Sequence, residues 1–251
     1  MASTLFEVLE RGDRASPALV VGSGGRTFTR GEVHALATKF AMKLIAGGIK
    51  AGDVVTIAEP NTVEFVIAFL GCTYARGIAA PLNQNYTKSE FSYYMEDANS
   101  KLLVVGPNGN EAAESAALES NVPAISIALS NHDNDGNRAV LLNVQVKEGN
   151  FGVTDVNDKG EELAALPHPN DVALFLHTSG TTSRPKGVPL THGNLTASLA
   201  NISKTYEFSN QDVSLLVMPL FHVHGELIYL VFFPFGESLL SLPCSEQPYM
   251  Y

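Results

Sequence analysis

Apolar residues recur at helical spacing through Val33, Leu36, Ala37, Phe40 and Leu44, with Lys39 and Lys43 off that stripe, which predicts an amphipathic helix. Thr29-Arg30-Gly31-Glu32 stands ahead of it as a capping box, in which the Thr29 hydroxyl and the Glu32 carboxylate each satisfy a free amide at the helix start. Gly47-Gly48 supplies a left-handed C-cap. Val54 to Ala58 reads as a short apolar strand. Asn61-Thr62-Val63-Glu64 opens a second helix, apolar on most sides through Leu70 and so expected to be buried. The unit then repeats. Gly77 ends the second helix, Ile78 to Pro81 is a strand, and Thr87-Lys88-Ser89-Glu90 caps a third helix running to about Asn99. Leu102 to Val105 is the next strand. Strands alternating with helices of this length imply parallel βαβ units with right-handed crossovers. The predicted fold class is α/β, with mostly parallel sheets packed by helices.

The pattern weakens from Gly106 to Asn170. Ala124 to Leu129 and Val140 to Val146 are strand candidates. Ser130 to Asn137 (SNHDNDGN) reads as a loop or long hairpin turn between them, and Asn157 to Glu162 as another loop. His132 falls in the first and is expected to be a solvated loop histidine. Pro167-His168-Pro169 blocks helix on both sides and marks a subdomain joint that closes residues 1–169. Val172 to His177, Gly187 to Leu190 and Ser214 to Met218 are further strand candidates. No internal repeat is visible.

Composition narrows the function classes. The chain has 251 residues, enough for one large domain or two smaller ones, and its 45% apolar and 17% charged residues describe an ordinary globular protein. A net charge of −10 argues against a nucleic-acid backbone or an anionic membrane as the main partner. Two cysteines, Cys72 and Cys244, make neither a disulfide framework nor a zinc cluster, and Cys72, inside an apolar helical run, is expected to be a buried thiol. Glu7, Glu10, Arg11 and Asp13 stand where a secretory segment would need apolar residues, so a cytoplasmic location is expected. The terminal PYMY is not a peroxisomal address, although a complete form could carry one.

The segment TSGTTSRPK connects two strand candidates and is longer than the two to five residues of an ordinary hairpin turn. Gly180 lets the backbone turn so that successive N–H groups converge, as in an anion nest. Thr178, Ser179, Thr181, Thr182 and Ser183 add hydroxyl donors, and Lys186 adds a movable positive charge. The segment is no Walker A loop, because Pro185 precedes Lys186 and Gly187, not Ser or Thr, follows it. On these grounds phosphate binding is the better reading, and a plain surface loop the alternative.

HTSGTTSRPKGV closely resembles the signature loop of the adenylate-forming superfamily of acyl-CoA synthetases, luciferases and peptide-synthetase adenylation domains, whose usual form has Gly where this chain has Ser183. The wider stretch FLHTSGTTSRPKGVPLTHGNL, followed by PLFHVHG, looks most like the 4-coumarate–CoA ligase-like branch, and within it the plant and fungal oxalate–CoA ligases, over about Leu5 to Gly225. The resemblance implies that Thr178, Ser179, Gly180, Thr181, Thr182 and Lys186 hold the β- and γ-phosphates of ATP. Mg²⁺ would bridge those phosphates, as hard cations do. Coenzyme A would be the thiol substrate.

His222 and His224 follow the last strand candidate and share a face if the chain stays extended. A metal site lacks a convincing third and fourth ligand. A pair of structural histidines is a second reading. The resemblance supplies the third: this segment lines the carboxylic-acid pocket, with His222, the expected catalytic residue, beside the substrate carboxylate and acyl-adenylate, and His224 shaping the acyl pocket.

The resemblance therefore implies an acid–CoA ligase that activates a carboxylic acid with ATP to acyl-AMP and then to acyl-CoA, oxalate being the best candidate acid. Residues 1–169 would form the first α/β subdomain, 170–225 the start of the second with the ATP loop, and 226–251 an atypical tail. That tail, ELIYLVFFPFGESLLSLPCSEQPYMY, has no Lys or Arg and is interrupted by Pro234, Pro243 and Pro248. It is expected to be neither family sequence nor a membrane span. The later family motifs for adenine, ribose and the catalytic lysine do not occur, so a truncated chain, inactive alone, is expected. The alternatives are a non-catalytic nucleotide-binding fragment, or specificity for 4-coumarate or a fatty acid.

Overall fold

A computed structural model of the chain describes residues 2–21, 26–134, 137–152, 163–178, 185–209, 212–222, 225 and 240–242. It opens with helix α1 (Leu5–Glu10), capped by the Thr4 hydroxyl, which accepts the Glu7 amide. Strands β1 (Pro17–Val21) and β2 (Thr27–Thr29) pair antiparallel. None of the three was predicted, because elements this short span too few periods to show a pattern. Helix α2 (Arg30–Ala46) begins with both halves of the expected capping box bonded. Its stripe of Val33, Ala37, Phe40 and Leu44 is fully buried.

The βαβ units follow as expected, in β3 (Val54–Ala58), α3 (Val63–Tyr74), β4 (Ile78–Pro81), α4 (Lys88–Asp97) and β5 (Ser100–Val105). Every residue of α3 except Glu64 is buried, as its all-round apolar sequence requires. Cys72 lies on it, fully buried, and burial pushes its thiol pKa up, away from reactivity. Helix α3 stops at Tyr74, three residues before Gly77, and Arg76 takes the left-handed turn (φ 61°).

Where the pattern weakened, regular elements nonetheless occur among the described residues. Helix α5 (Glu111–Glu119), capped by Asn110, went unpredicted. Strands β6 (Ala124–Asn134) and β7 (Asn137–Glu148) form a long hairpin whose pairing extends to Asn134 opposite Asn137. The loop expected from Ser130 is therefore mostly strand, and His132 pairs in it opposite Ala139 rather than lying in a loop. A ladder is made by backbone groups, so polar side chains do not end it where the partner strand continues. The loop expected over 157–162 lies outside the described residues.

One seven-stranded sheet has the order β7-β6-β5-β3-β4-β8-β9, with β8 (Val172–Thr178) and β9 (Lys186–Thr191). Strands β6, β5, β3, β4 and β8 run parallel, and β7 and β9 are antiparallel edges. The sheet crosses the joint expected at residue 169, since Leu174 pairs with Ala79. The joint itself is pinned: Arg76 Nε and Nη2 donate to the Asp171 carboxylate at 2.8 and 3.2 Å, and the His168 amide donates to the same group at 2.9 Å. Helix α6 (His192–Tyr206) follows β9, and buried His192 accepts the Leu5 amide on Nδ1 at 3.1 Å, tying α1 to the start of α6.

A second sheet has the order β10-β11-β1-β2, with β10 (Ser214–Leu215) and β11 (Leu240–Leu242). Strand β11 runs parallel to β1 and β10, so the stretch expected to be an atypical tail contributes a strand beside the N-terminal one.

Candidate functional site

The chain leaves β3 toward one side of the large sheet and β5 toward the other. Open α/β sheets commonly bind ligands in the crevice outside the carboxyl ends of two such strands. Here that crevice is filled. Glu59, the residue after β3, is 2% exposed, and a Cβ on Gly106, the residue after β5, would stand 2.1 Å from Glu59 Oε2. The carboxyl accepts from the Thr62 hydroxyl at 3.0 Å through Oε1, while Oε2 has no partner among the described residues. Burial pushes its pKa up to about 8, only partly offset by Thr62 and reinforced by the nearby charge of Glu64.

The phosphate-loop candidate stands two strands away, at the carboxyl end of parallel strand β8. Thr178 is its last residue and Lys186 opens β9 directly opposite, so the loop spans the mouth of a hairpin. Both residues are exposed, and the Thr178 hydroxyl donates to the Lys186 carbonyl at 3.4 Å. No acidic side chain among the described residues pairs with the Lys186 ammonium. Ser179, Gly180, Thr181 and Thr182 lie outside the described residues. The stem is firmly held, because His177 is nearly buried, bonds Asp97 Oδ2 through Nε2 at 2.8 Å and packs on the Tyr94 and Phe175 rings.

The histidine segment is attached to the same end of the sheet. After β10, Leu216 and Leu220 are fully buried while His222 is exposed, its ring 4.5 Å from that of Phe221. The His222 amide donates to the Pro219 carbonyl at 3.2 Å, and a Cβ on Gly225 would fall 2.2 Å from that carbonyl oxygen, so the segment closes tightly on itself. His224 lies outside the described residues. Asn61, in the loop after β3, holds the base of the turn: its Nδ2 donates to the Met218 carbonyl at 2.9 Å and its Oδ1 accepts the Leu220 amide at 2.8 Å.

The sequence pattern did not single out Asn61, Glu59 or the His177–Asp97 pair. Asn61 reads as part of a helix opening, yet Thr62 is the cap, its hydroxyl accepting the Phe65 amide. The available signals were an amide left without a capping task and an acid ending an apolar strand. Among the described residues no three His, Cys, Asp or Glu side chains stand close enough to hold a metal ion. No helix of the described residues is long and apolar enough to cross a membrane.

The family model described as AMP-binding enzyme matches residues 7–246, running past Gly225 into the last segment of the chain. The chain is 42% identical over 250 residues to an oxalate–CoA ligase of Arabidopsis thaliana, covering 98% of this chain and 46% of that protein. It is 38% identical over 189 residues to an oxalate–CoA ligase of Saccharomyces cerevisiae, covering 71% of this chain and 35% of that one. Among solved structures, ATP-bound MatB from Rhodopseudomonas palustris superposes with a TM-score of 0.75 at 26% identity, over 96% of this chain and 45% of that one. The chain spans less than half the length of these relatives.

Proposed function

Because the chain belongs to the AMP-binding enzyme family, we propose that it carries the phosphate-binding and acid-binding portion of an ATP-dependent acid–CoA ligase, with oxalate as the acid. In this reaction a carboxylate attacks the α-phosphate of ATP, giving acyl-AMP and pyrophosphate, and the thiol of coenzyme A then displaces AMP. The observation that carries the reading is the placement of two features. The mouth of the Thr178–Lys186 hairpin and the base of the His222 turn both sit at carboxyl ends of parallel strands in one sheet, β8 and β3.

Each residue then has a chemical task. Lys186 carries an ammonium without a protein counter-ion among the described residues, suited to the β- and γ-phosphates. Thr178, Ser179, Gly180, Thr181 and Thr182 would add hydroxyl and backbone donors around the same phosphates. Mg²⁺ would accompany ATP and lower the charge on its phosphates. His222 is exposed where its amide closes the turn and can donate to the acid's carboxylate, orienting it for attack. His224 would shape the acyl pocket. Imidazole donors suit a small dicarboxylate better than apolar walls would, and the oxalate–CoA ligase relatives of plant and yeast support that choice.

ATP–pyrophosphate exchange by the purified chain, with oxalate, 4-coumarate and a medium-chain fatty acid, tests the reading. Exchange driven by oxalate would show that acid activation runs on this portion alone and would name oxalate as the acid. Exchange with only one of the other acids would replace oxalate, and a folded sample that binds ATP without exchange would reduce the chain to a nucleotide-binding fragment.

A further inference from the structure

Pro219 has no N–H, so the bend into the His222 turn lacks one backbone donor of its own, and its flanking groups, the Met218 carbonyl and the Leu220 amide, need partners. Asn61 supplies both from one planar carboxamide, donating at 2.9 Å and accepting at 2.8 Å across 157 and 159 residues of sequence. Few side chains can do this. Asp lacks the donor and Ala lacks both groups. The amide is itself held by a rigid loop, with Glu59 buried on one side, Pro60 fixing the backbone, and Thr62 committed to capping α3.

We propose that Asn61 is the positioning residue of the acid site: it docks the His222 turn onto the carboxyl end of β3 and so sets where the imidazole meets the substrate carboxylate. The proposal rests on the reading of His222 as an acid-facing residue. Nothing local explains the arrangement, since Asn61 caps no helix and both of its bonds go to the distant turn. Leu216 and Leu220 bury the segment but, being apolar, do not fix its rotation or register. The directional part of the attachment falls to the two hydrogen bonds.

The test uses the full 251-residue chain and oxalate as the probe. Amide exchange at Leu220 is followed by NMR, and oxalate and ATP affinities are measured by calorimetry, oxalate in the presence of a non-hydrolysable ATP analogue. Asn61→Ala is expected to accelerate Leu220 exchange and to weaken oxalate roughly tenfold each, with ATP affinity unchanged within about twofold. Asn61→Asp, which keeps the acceptor for Leu220 but loses the donor to Met218, should fall between. His222→Ala should weaken oxalate without altering Leu220 exchange.

Unchanged Leu220 exchange in Asn61→Ala would overturn the clamp. Faster exchange with normal oxalate affinity, while His222→Ala still weakens oxalate, would overturn the positioning role and leave the acid-site reading standing. Normal oxalate affinity in His222→Ala, or no oxalate binding by the unaltered chain, would remove that reading and this proposal with it. Parallel loss of oxalate and ATP affinity with a lowered melting temperature would reduce Asn61 to a general structural residue.

Discussion

Glu59 gives the chain a pH dependence whose sign can be worked out. Its carboxyl is 2% exposed, and burial lifts its pKa from 4.5 to about 8. Below the unfolded value the group is protonated in both states and contributes no slope. Above it the unfolded chain releases the proton while the folded chain keeps it, so stability falls by about 1.4 kcal/mol per pH unit until the folded pKa is passed. Two buried histidines act in the opposite direction. Burial holds His34 and His192 down to about 4, so their contribution is present above 6.5 and is lost as pH falls toward 4. Between 4.5 and 6.5 the two effects overlap, whereas from 6.5 to 8 the carboxyl acts without the histidines. Over that window the unaltered chain should lose about 2 kcal/mol. Glu59→Gln keeps the shape and the acceptor for the Thr62 hydroxyl but cannot titrate, so its stability should change by less than about 0.5 kcal/mol. Urea unfolding of both proteins at the two ends of the window measures this difference. Equal stability of the unaltered chain at both pH values, or a parallel fall in the variant, would show that the carboxyl is not held neutral.

Three further outcomes are expected. Lys186→Ala should weaken ATP binding tenfold or more, since it removes the mobile charge at the hairpin mouth, and a calorimetric titration unchanged from that of the unaltered chain would take Lys186 out of the site. His224→Phe should move acid preference in pyrophosphate exchange from oxalate toward aromatic acids, and an unaltered preference would count against its role in the pocket. Gly71→Ala should destabilise the fold by about 1–3 kcal/mol, measured by thermal melting, because the added Cβ would meet Phe40 Cδ1 at 2.7 Å and the Ala37 carbonyl at 2.9 Å where α3 crosses α2.

The parts of this molecule legible in its sequence are those set by near neighbours. The capping boxes at Thr29 and Thr87 form as written, because donor and acceptor sit three residues apart. The apolar runs of β3 and β4 coincide with the strands, residue for residue. The loop after Thr178 carries its chemistry in a contiguous motif, and the family match bears out the kinship that motif implied.

What escaped the sequence depends on partners far along the chain. The strand character of 130–134 comes from β7, which pairs with it despite polar side chains. The joint expected at Pro167–Pro169 is spanned by long-range pairing of β8 with β4 and of Arg76 with Asp171, neither visible from local composition. The last segment, unlike the rest in pattern, places Leu240–Leu242 beside β1. Asn61 is the clearest case. Its neighbours mark only a helix start, and its amide acquires a task when the fold brings Met218 and Leu220 within hydrogen-bond distance. Periodicity and capping are short-range consequences of backbone geometry, so the chain declares them by itself. Register across a sheet, the neutrality of a buried carboxyl and the anchoring of a functional turn arise only where distant segments exclude water together, and tertiary structure alone decides them.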